Sequence, residues 1–289
     1  MPPKDASFHH LSLENPGFAA HPYFWTAFHL RLVKCSFQQV KDNMLVQAHL
    51  DRARTLKAEK LAKRPAPNLK SFYVTGLLIR KGFYFAGCLI VLEEGCDIYQ
   101  IDNNKFMRQP VPTIGYYLYN IDSARRKRLS APPAPCGLKN EAVERIYNRR
   151  LSNITPADWR NDPYMVCLLL SLAQHQWYQR KAPKQEVFPV CLLVTKESDK
   201  EHAYIFKADI PLKLLKSLHH PTRNFGEVPS VSWTKVSFEP YSSFSERILL
   251  YLVGAQYASE LGAVTAARLG GQKRKFGQIE EPLHSAQGC

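Results

Sequence analysis

Apolar positions along this chain follow several different patterns, and each predicts a different kind of element. From Phe37 to Arg64 neither glycine nor proline interrupts a stretch rich in Lys, Arg, Ala, Leu and Gln, which predicts one long helix. Val40, Met44, Ala48 and Leu50 give it a core face. Arg52, Arg54, Lys57, Lys60, Lys63 and Arg64 surround its last turns, where cations suit the negative pole of the helix dipole, and Pro65 and Pro67 stop it. From Phe72 to Asp102 the pattern changes to short runs of aromatic and aliphatic residues, Phe72-Tyr73-Val74-Thr75, Leu77-Leu78-Ile79, Phe83-Tyr84-Phe85 and Leu89-Ile90-Val91-Leu92. These read as strands, with turns at Gly82 and Glu93-Glu94-Gly95. Asp97 to Asp102 alternates like a strand with one wet face, and Thr113 to Ile121 adds another, so an antiparallel meander is expected.

Periodicity then disappears between Ser123 and Gly137, where Arg125-Arg126-Lys127-Arg128 precedes Pro132-Pro133-Ala134-Pro135. That composition predicts an exposed loop or linker. Beyond it, Val143, Ile146, Tyr147 and Leu151 form the stripe of a helix from Asn140 to Leu151. Thr155-Pro156-Ala157-Asp158 carries a helix-start signal, because Thr155 can cap and Pro156 needs no amide hydrogen there. Asp162-Pro163 opens a second helix, Tyr164 to Gln174, which is apolar on nearly every side and so calls for cover all round. Strands are expected at Glu186 to Thr195, His202 to Asp209 and Ser230 to Phe238, with a turn at Lys196 to Glu201 and a short helix running through Leu218. Ser243-x-x-Glu246 reads as a capping box for a last helix to about Leu261, with Gly262 as its C-cap.

The expected fold class is α+β: an N-terminal long helix plus antiparallel meander, then a C-terminal mixed helix/strand unit. The corresponding divisions are residues 1–122, a basic and proline-rich loop at 123–137, an α+β unit at 138–268 and a basic tail at 269–289. An apolar fraction of 45% in 289 residues is enough for a packed core. The longest apolar run, Tyr164 to Ala173, falls short of the about 18–20 residues that cross a bilayer, so no membrane partner is expected. Met1-Pro2-Pro3-Lys4-Asp5 is no basic lead into an apolar segment, so the chain is expected in nucleus or cytosol and not secreted. Seven cysteines without a C-x-x-C pair suit reduced, packed thiols, and neither a metal nor a cofactor is called for.

A formal net charge of +14 is the one bulk property above background, and residues 1–70 hold much of it, with 11 Lys/Arg against 5 Asp/Glu. Such an excess suits an acidic protein partner or nucleic acid, although exposed helix faces carry similar charge without either. Arg125, Arg126, Lys127 and Arg128, and again Lys273, Arg274 and Lys275, are candidates for an import receptor that binds extended basic segments. Tyr147 with Arg149 and Arg150, and Trp177 with Arg180 and Lys181, combine rings with cations as single-strand binders do, and also sit where helix ends favour cations.

Ser152 to Tyr164, through its Trp159-Arg160-Asn161-Asp162-Pro163 core, together with Leu168 to Gln174 and Tyr204 to Ile210, resembles a family of uncharacterised proteins from filamentous fungi. The similarity covers roughly Asn140 to Val253. It implies a lineage and supplies no catalytic residue.

Hydrolase-elbow, zinc-protease, P-loop, dinucleotide and kinase signatures are absent from the sequence. The helix and strand order from Tyr164 to Phe238 invites comparison with metal-dependent nucleases. However, Lys207 precedes Asp209 on its strand and Glu197, Asp199 and Lys200 fall in a turn; Asp209 reads better as a cap for the next helix. His219 and His220 read as helix-terminal residues. Trp159 reads as a plug between two helices, with Arg160 paired to Asp158 or Asp162, or as an exposed anchor for a partner. The function these features support is a non-enzymatic interaction or regulatory protein; the alternative is a nucleic-acid-binding protein, with a degenerate nuclease-like fold as one form of it.

Overall fold

A computed structural model of the chain describes residues 7–41, 75–77, 82–92, 96–100, 112–179 and 185–254. Its strands are β1 (Phe37–Gln39), β2 (Thr75–Leu77), β3 (Gly82–Phe85), β4 (Cys88–Val91), β5 (Asp97–Gln100), β6 (Thr113–Leu118), β7 (Val187–Thr195), β8 (His202–Pro211) and β9 (Val231–Ser237). The helices are α1 (Phe8–Glu14), α2 (Ala27–Leu32), α3 (Ile121–Arg128), α4 (Glu141–Ile154), α5 (Tyr164–Gln179), α6 (Leu212–His219) and α7 (Tyr241–Val253). Single 3-10 turns occupy Pro22–Phe24 and Trp159–Asn161.

Seven strands form one sheet in the order β1-β9-β8-β7-β6-β5-β2, while β3 and β4 pair only with each other. The β6–β7 and β1–β9 pairs are parallel and the rest antiparallel. The α+β class therefore holds, and period-two alternation explains how the central strands serve two cores. Phe188, Val190, Leu192 and Val194 of β7 join Tyr204, Phe206, Ala208 and Ile210 of β8 on the face covered by α5 and α6. Cys191 and Leu193 join Ala203 and Ile205 on the other face, where α7 supplies Phe244, Ile248, Leu249 and Leu252. Buried from Tyr164 to His175 except at half-buried Ser171, α5 lies against β7, β6 and β3, as its apolar sequence requires.

Several expectations are corrected. Phe37–Gln39 is an edge strand in register with Val231–Trp233 and does not open a helix; the remainder of the expected long helix, from residue 42, lies outside the described residues. The meander is interrupted, because β2 pairs with β5 across a separate β3–β4 hairpin. Gly82 belongs to β3, and the hairpin turns instead at Ala86 and Gly87, both with positive φ as a two-residue turn of this hand demands. Residues 123–128 are helical where a loop was expected, Ile121 begins that helix where the end of a strand was expected, and β6 pairs with β7 across 123–137. Thr155 caps the end of α4, its hydroxyl donating to the Leu151 carbonyl, and starts nothing. Ser243 lies inside α7, which stops at Gly254 with φ 85°, ahead of the expected end. Asp209 is exposed in mid-strand, and Pro211 takes the N-cap position of α6 without a side-chain bond.

Candidate interaction face

The basic cluster at 125–128 divides when its helix packs. Ile121, Ala124 and Arg125 fall at the spacing of one helical face and are buried, whereas Arg126, Lys127 and Arg128 are exposed, with the Arg128 guanidinium over the Tyr23 ring at 5.0 Å. Arg125 is 0% exposed, so it is withdrawn from any surface that an import receptor reads in the folded protein. Its Nη1 and Nη2 donate to the two oxygens of Asp162 at 2.7 and 2.8 Å, and its Nε donates to the Tyr23 carbonyl at 2.8 Å. Asp162 also accepts from the Tyr119 hydroxyl and from the Tyr164 amide, both at 2.9 Å, which starts α5. Four donors on one buried carboxylate make the geometry unusually well satisfied. Burial pushes the Tyr119 phenol well above its ordinary value, and neighbouring Asp162 pushes it further.

Arg160 consequently takes Asp158 as its partner, Nε to Oδ1 at 2.8 Å, and lies over the Trp233 ring at 4.9 Å. Burial alone raises the Asp158 carboxyl, but the bonds from Arg160 reverse this and hold it below the usual carboxylate value. Trp159 plugs the end of the sheet between Tyr119 and Tyr204, with ring centroids 5.0 and 4.8 Å away, and Lys196 caps both Trp159 and Tyr119. The Trp-Arg-Asn-Asp-Pro segment is thus a structural joint that fixes the ends of α3 and α5.

Held by that joint, α4 is the unusual element. It has an apolar stripe, yet none of its fourteen residues is buried. Ile146 is 59% exposed, and Leu138, in the preceding loop, is 70% exposed. Between α4 and the 129–140 segment runs a cleft of about 470 Å³, lined by Arg126, Leu138, Tyr147 and Leu151 among others. One import candidate and one nucleic-acid candidate, Arg126 and Tyr147, therefore meet in a single cleft. Arg150 stands one turn after Ile146 beside the stripe. Arg149 is about 200° round the helix from Tyr147 and belongs to the opposite face. Lys139 pairs with Glu144 at 2.7 Å and Arg145 approaches Glu141 at 3.8 Å, whereas no described carboxylate pairs with Arg126, Lys127 or Arg150.

No protein-family model, curated protein or solved structure matches this chain.

The second ring-and-cation group is dispersed. Trp177 packs half-buried on the core, stacked with Tyr178 at 5.4 Å and edge-on to His219 at 5.2 Å. His219 ends α6 and meets the Tyr178 hydroxyl, and burial followed by its neighbour His220 lowers its pKa. Arg180, Lys181, Lys273, Arg274 and Lys275 lie outside the described residues. Among the described residues no three His, Cys, Asp or Glu side chains converge as a metal site, and no helix is long and apolar enough to cross a membrane. Asp199, from the nuclease comparison, is engaged as an acceptor from the Tyr204 hydroxyl at 2.7 Å and from the Glu201 and His202 amides. Sequence reasoning missed the cleft because Leu138 and Arg126 approach α4 only through the path of the loop. The signal available beforehand was an amphipathic helix flanked by proline-rich chain.

Proposed function

We propose that this protein is a non-enzymatic interaction module whose α3–α4 face docks an acidic, amphipathic segment of a partner protein. The observation that carries this is α4 itself, a fourteen-residue amphipathic helix whose apolar stripe is nowhere fully buried, with Val143, Tyr147 and Leu151 half-buried and Ile146 exposed. Stable helices in folded domains normally bury such a stripe, since packing supplies most of their stability. Here the stripe borders a cleft, with Arg126 and Arg150 beside it and no described carboxylate pairing with either. A segment presenting Leu or Phe towards Ile146 and carboxylates towards the two arginines satisfies both needs, and arginine is the cation best suited to interface ion pairs. The reading carries with it residence in nucleus or cytosol, where buried free thiols such as Cys35 and Cys191 stay reduced.

A peptide-display selection against the full chain tests this. Enriched peptides should carry Asp or Glu around apolar residues spaced by three and four, and Ile146→Asp should weaken their binding by about tenfold or more, the scale of one well-buried aliphatic side chain. Enrichment that ignores Ile146→Asp refutes the docking face. Tighter binding of oligothymidylate than of any selected peptide, with the steep salt dependence of phosphate contacts, favours nucleic acid instead.

A further inference from the structure

A second concavity lies on another part of the molecule and shares no described lining residue with the α4 cleft. It is a recess of about 360 Å³ between α1, the segment from Phe18 to Trp25, the β3–β4 hairpin and the end of α6. Its walls are rings: Phe8, Phe18, Trp25, Phe83 and Phe85. Phe8 lies nearly parallel to Phe18, at 6.2 Å and 13°, and edge-on to Phe85, at 5.9 Å and 74°.

The walls are fixed by hydrogen bonds to the main chain, so the recess is built into the fold. The hairpin is fixed by Gln174, whose amide accepts from the Tyr84 N–H at 2.9 Å and donates to the Tyr84 carbonyl at 2.7 Å. The Ala86 amide donates to the Leu218 carbonyl at 2.8 Å, and the His9 amide donates to the Pro221 carbonyl at 2.9 Å. Hairpin and α1 are therefore anchored to neighbouring points on one connection. Trp25 is fixed by its indole N–H donating to the Ala20 carbonyl at 3.1 Å.

We infer that this recess binds a small, uncharged aromatic molecule. The volume falls within the range of small-molecule pockets, at its lower end. No Lys, Arg, Asp or Glu is among its described lining residues, which argues against an ionic ligand. Ring walls favour a flat partner in offset or edge contact. Polar groups are few. The Ser12 hydroxyl already donates to the His9 carbonyl at 2.7 Å. His21 Nδ1 accepts from the Tyr23 amide, and His9 is exposed. Water in such a recess finds few partners, so its displacement by an apolar ring is favourable.

The test titrates indole and quinoline into the full chain and follows the methyl resonances of Ile90 and Leu218, with benzoate and benzylamine as charged controls. The expected result is saturable shifts at both residues with a Kd on the order of 100 µM, weakened about tenfold or more by Ser12→Trp, which plugs the mouth. Ala19→Trp, at an exposed lining position, supplies a second plug should the first perturb folding. Absence of saturable shifts up to the solubility limit overturns the inference. So does equal binding of benzoate, or unchanged affinity in both plugged variants.

Discussion

Replacing Asp162 by Ala removes the acceptor for four donors at once and leaves the Arg125 guanidinium, 0% exposed, with only the more distant, partly exposed Asp122 carboxylate at 3.8 Å as counter-charge. Breaking one side of a buried ion pair costs about 3–5 kcal/mol, because the remaining charge stays desolvated. For a domain whose stability is about 5–15 kcal/mol, that is between a fifth of the total and all of it. The corresponding fall in midpoint temperature is about 6–20 °C for a chain of this size. Urea denaturation followed by tryptophan fluorescence reads the loss directly. The companion variant Arg125→Met with Asp162→Leu separates charge from packing. It removes both ions and takes one partner each from the Tyr119 hydroxyl, the Tyr164 amide and the Tyr23 carbonyl, a cost of about 1–3 kcal/mol for each group left unsatisfied. The double variant should therefore be more stable than Asp162→Ala alone. An Asp162→Ala loss below about 1 kcal/mol, or a double variant no better than the single one, would refute the reasoning.

Three further outcomes are expected. His29 accepts the Thr26 amide hydrogen on Nδ1 and lies 3.1 Å from the Gly17 carbonyl through Nε2, and burial lowers its pKa below 6.5 despite that carbonyl. Its contribution to stability is complete above 6.5 and is lost as pH falls from there towards the folded value; nitrogen-detected titration placing the folded value at or above 6.5 contradicts this. Burial pushes Cys35 up to about 11 and Cys191 up to about 12, so alkylation of the native chain mapped by mass spectrometry should mark exposed Cys88 and Cys136 well before either. A Cβ at Gly115 would stand 2.8 Å from Leu192 and 2.9 Å from Leu172, so Gly115→Ala should cost about 1–3 kcal/mol in the same urea assay.

The C-terminal elements were legible where one signal dominated. The unbroken apolar run gave α5, and alternation gave β7, β8 and β9 to within a residue or two at most ends. Long-range pairing was not legible: nothing local says that Phe37–Gln39 completes a sheet at Val231, or that a hairpin stands between β2 and β5. Capping motifs misled wherever a tertiary partner competed. Ser243 matched a box pattern, yet Arg247, buried and bonded to the Ser237, Phe238 and Pro240 carbonyls, takes its hydroxyl as an acceptor instead. The basic run at 125–128 could not reveal that one of its four members is internal, because the deciding residue, Asp162, lies 37 positions away. The aromatic recess left even less trace, since Phe8, Phe18 and Trp25 follow no single period and are gathered by chain path.

Amide hydrogen exchange of the full chain with a selected acidic peptide, compared with the chain alone, tests the docking face most directly. Slowed exchange within Glu141–Ile154 that disappears in Ile146→Asp is the predicted result. Slowed exchange only elsewhere, or the same slowing in both proteins, contradicts it.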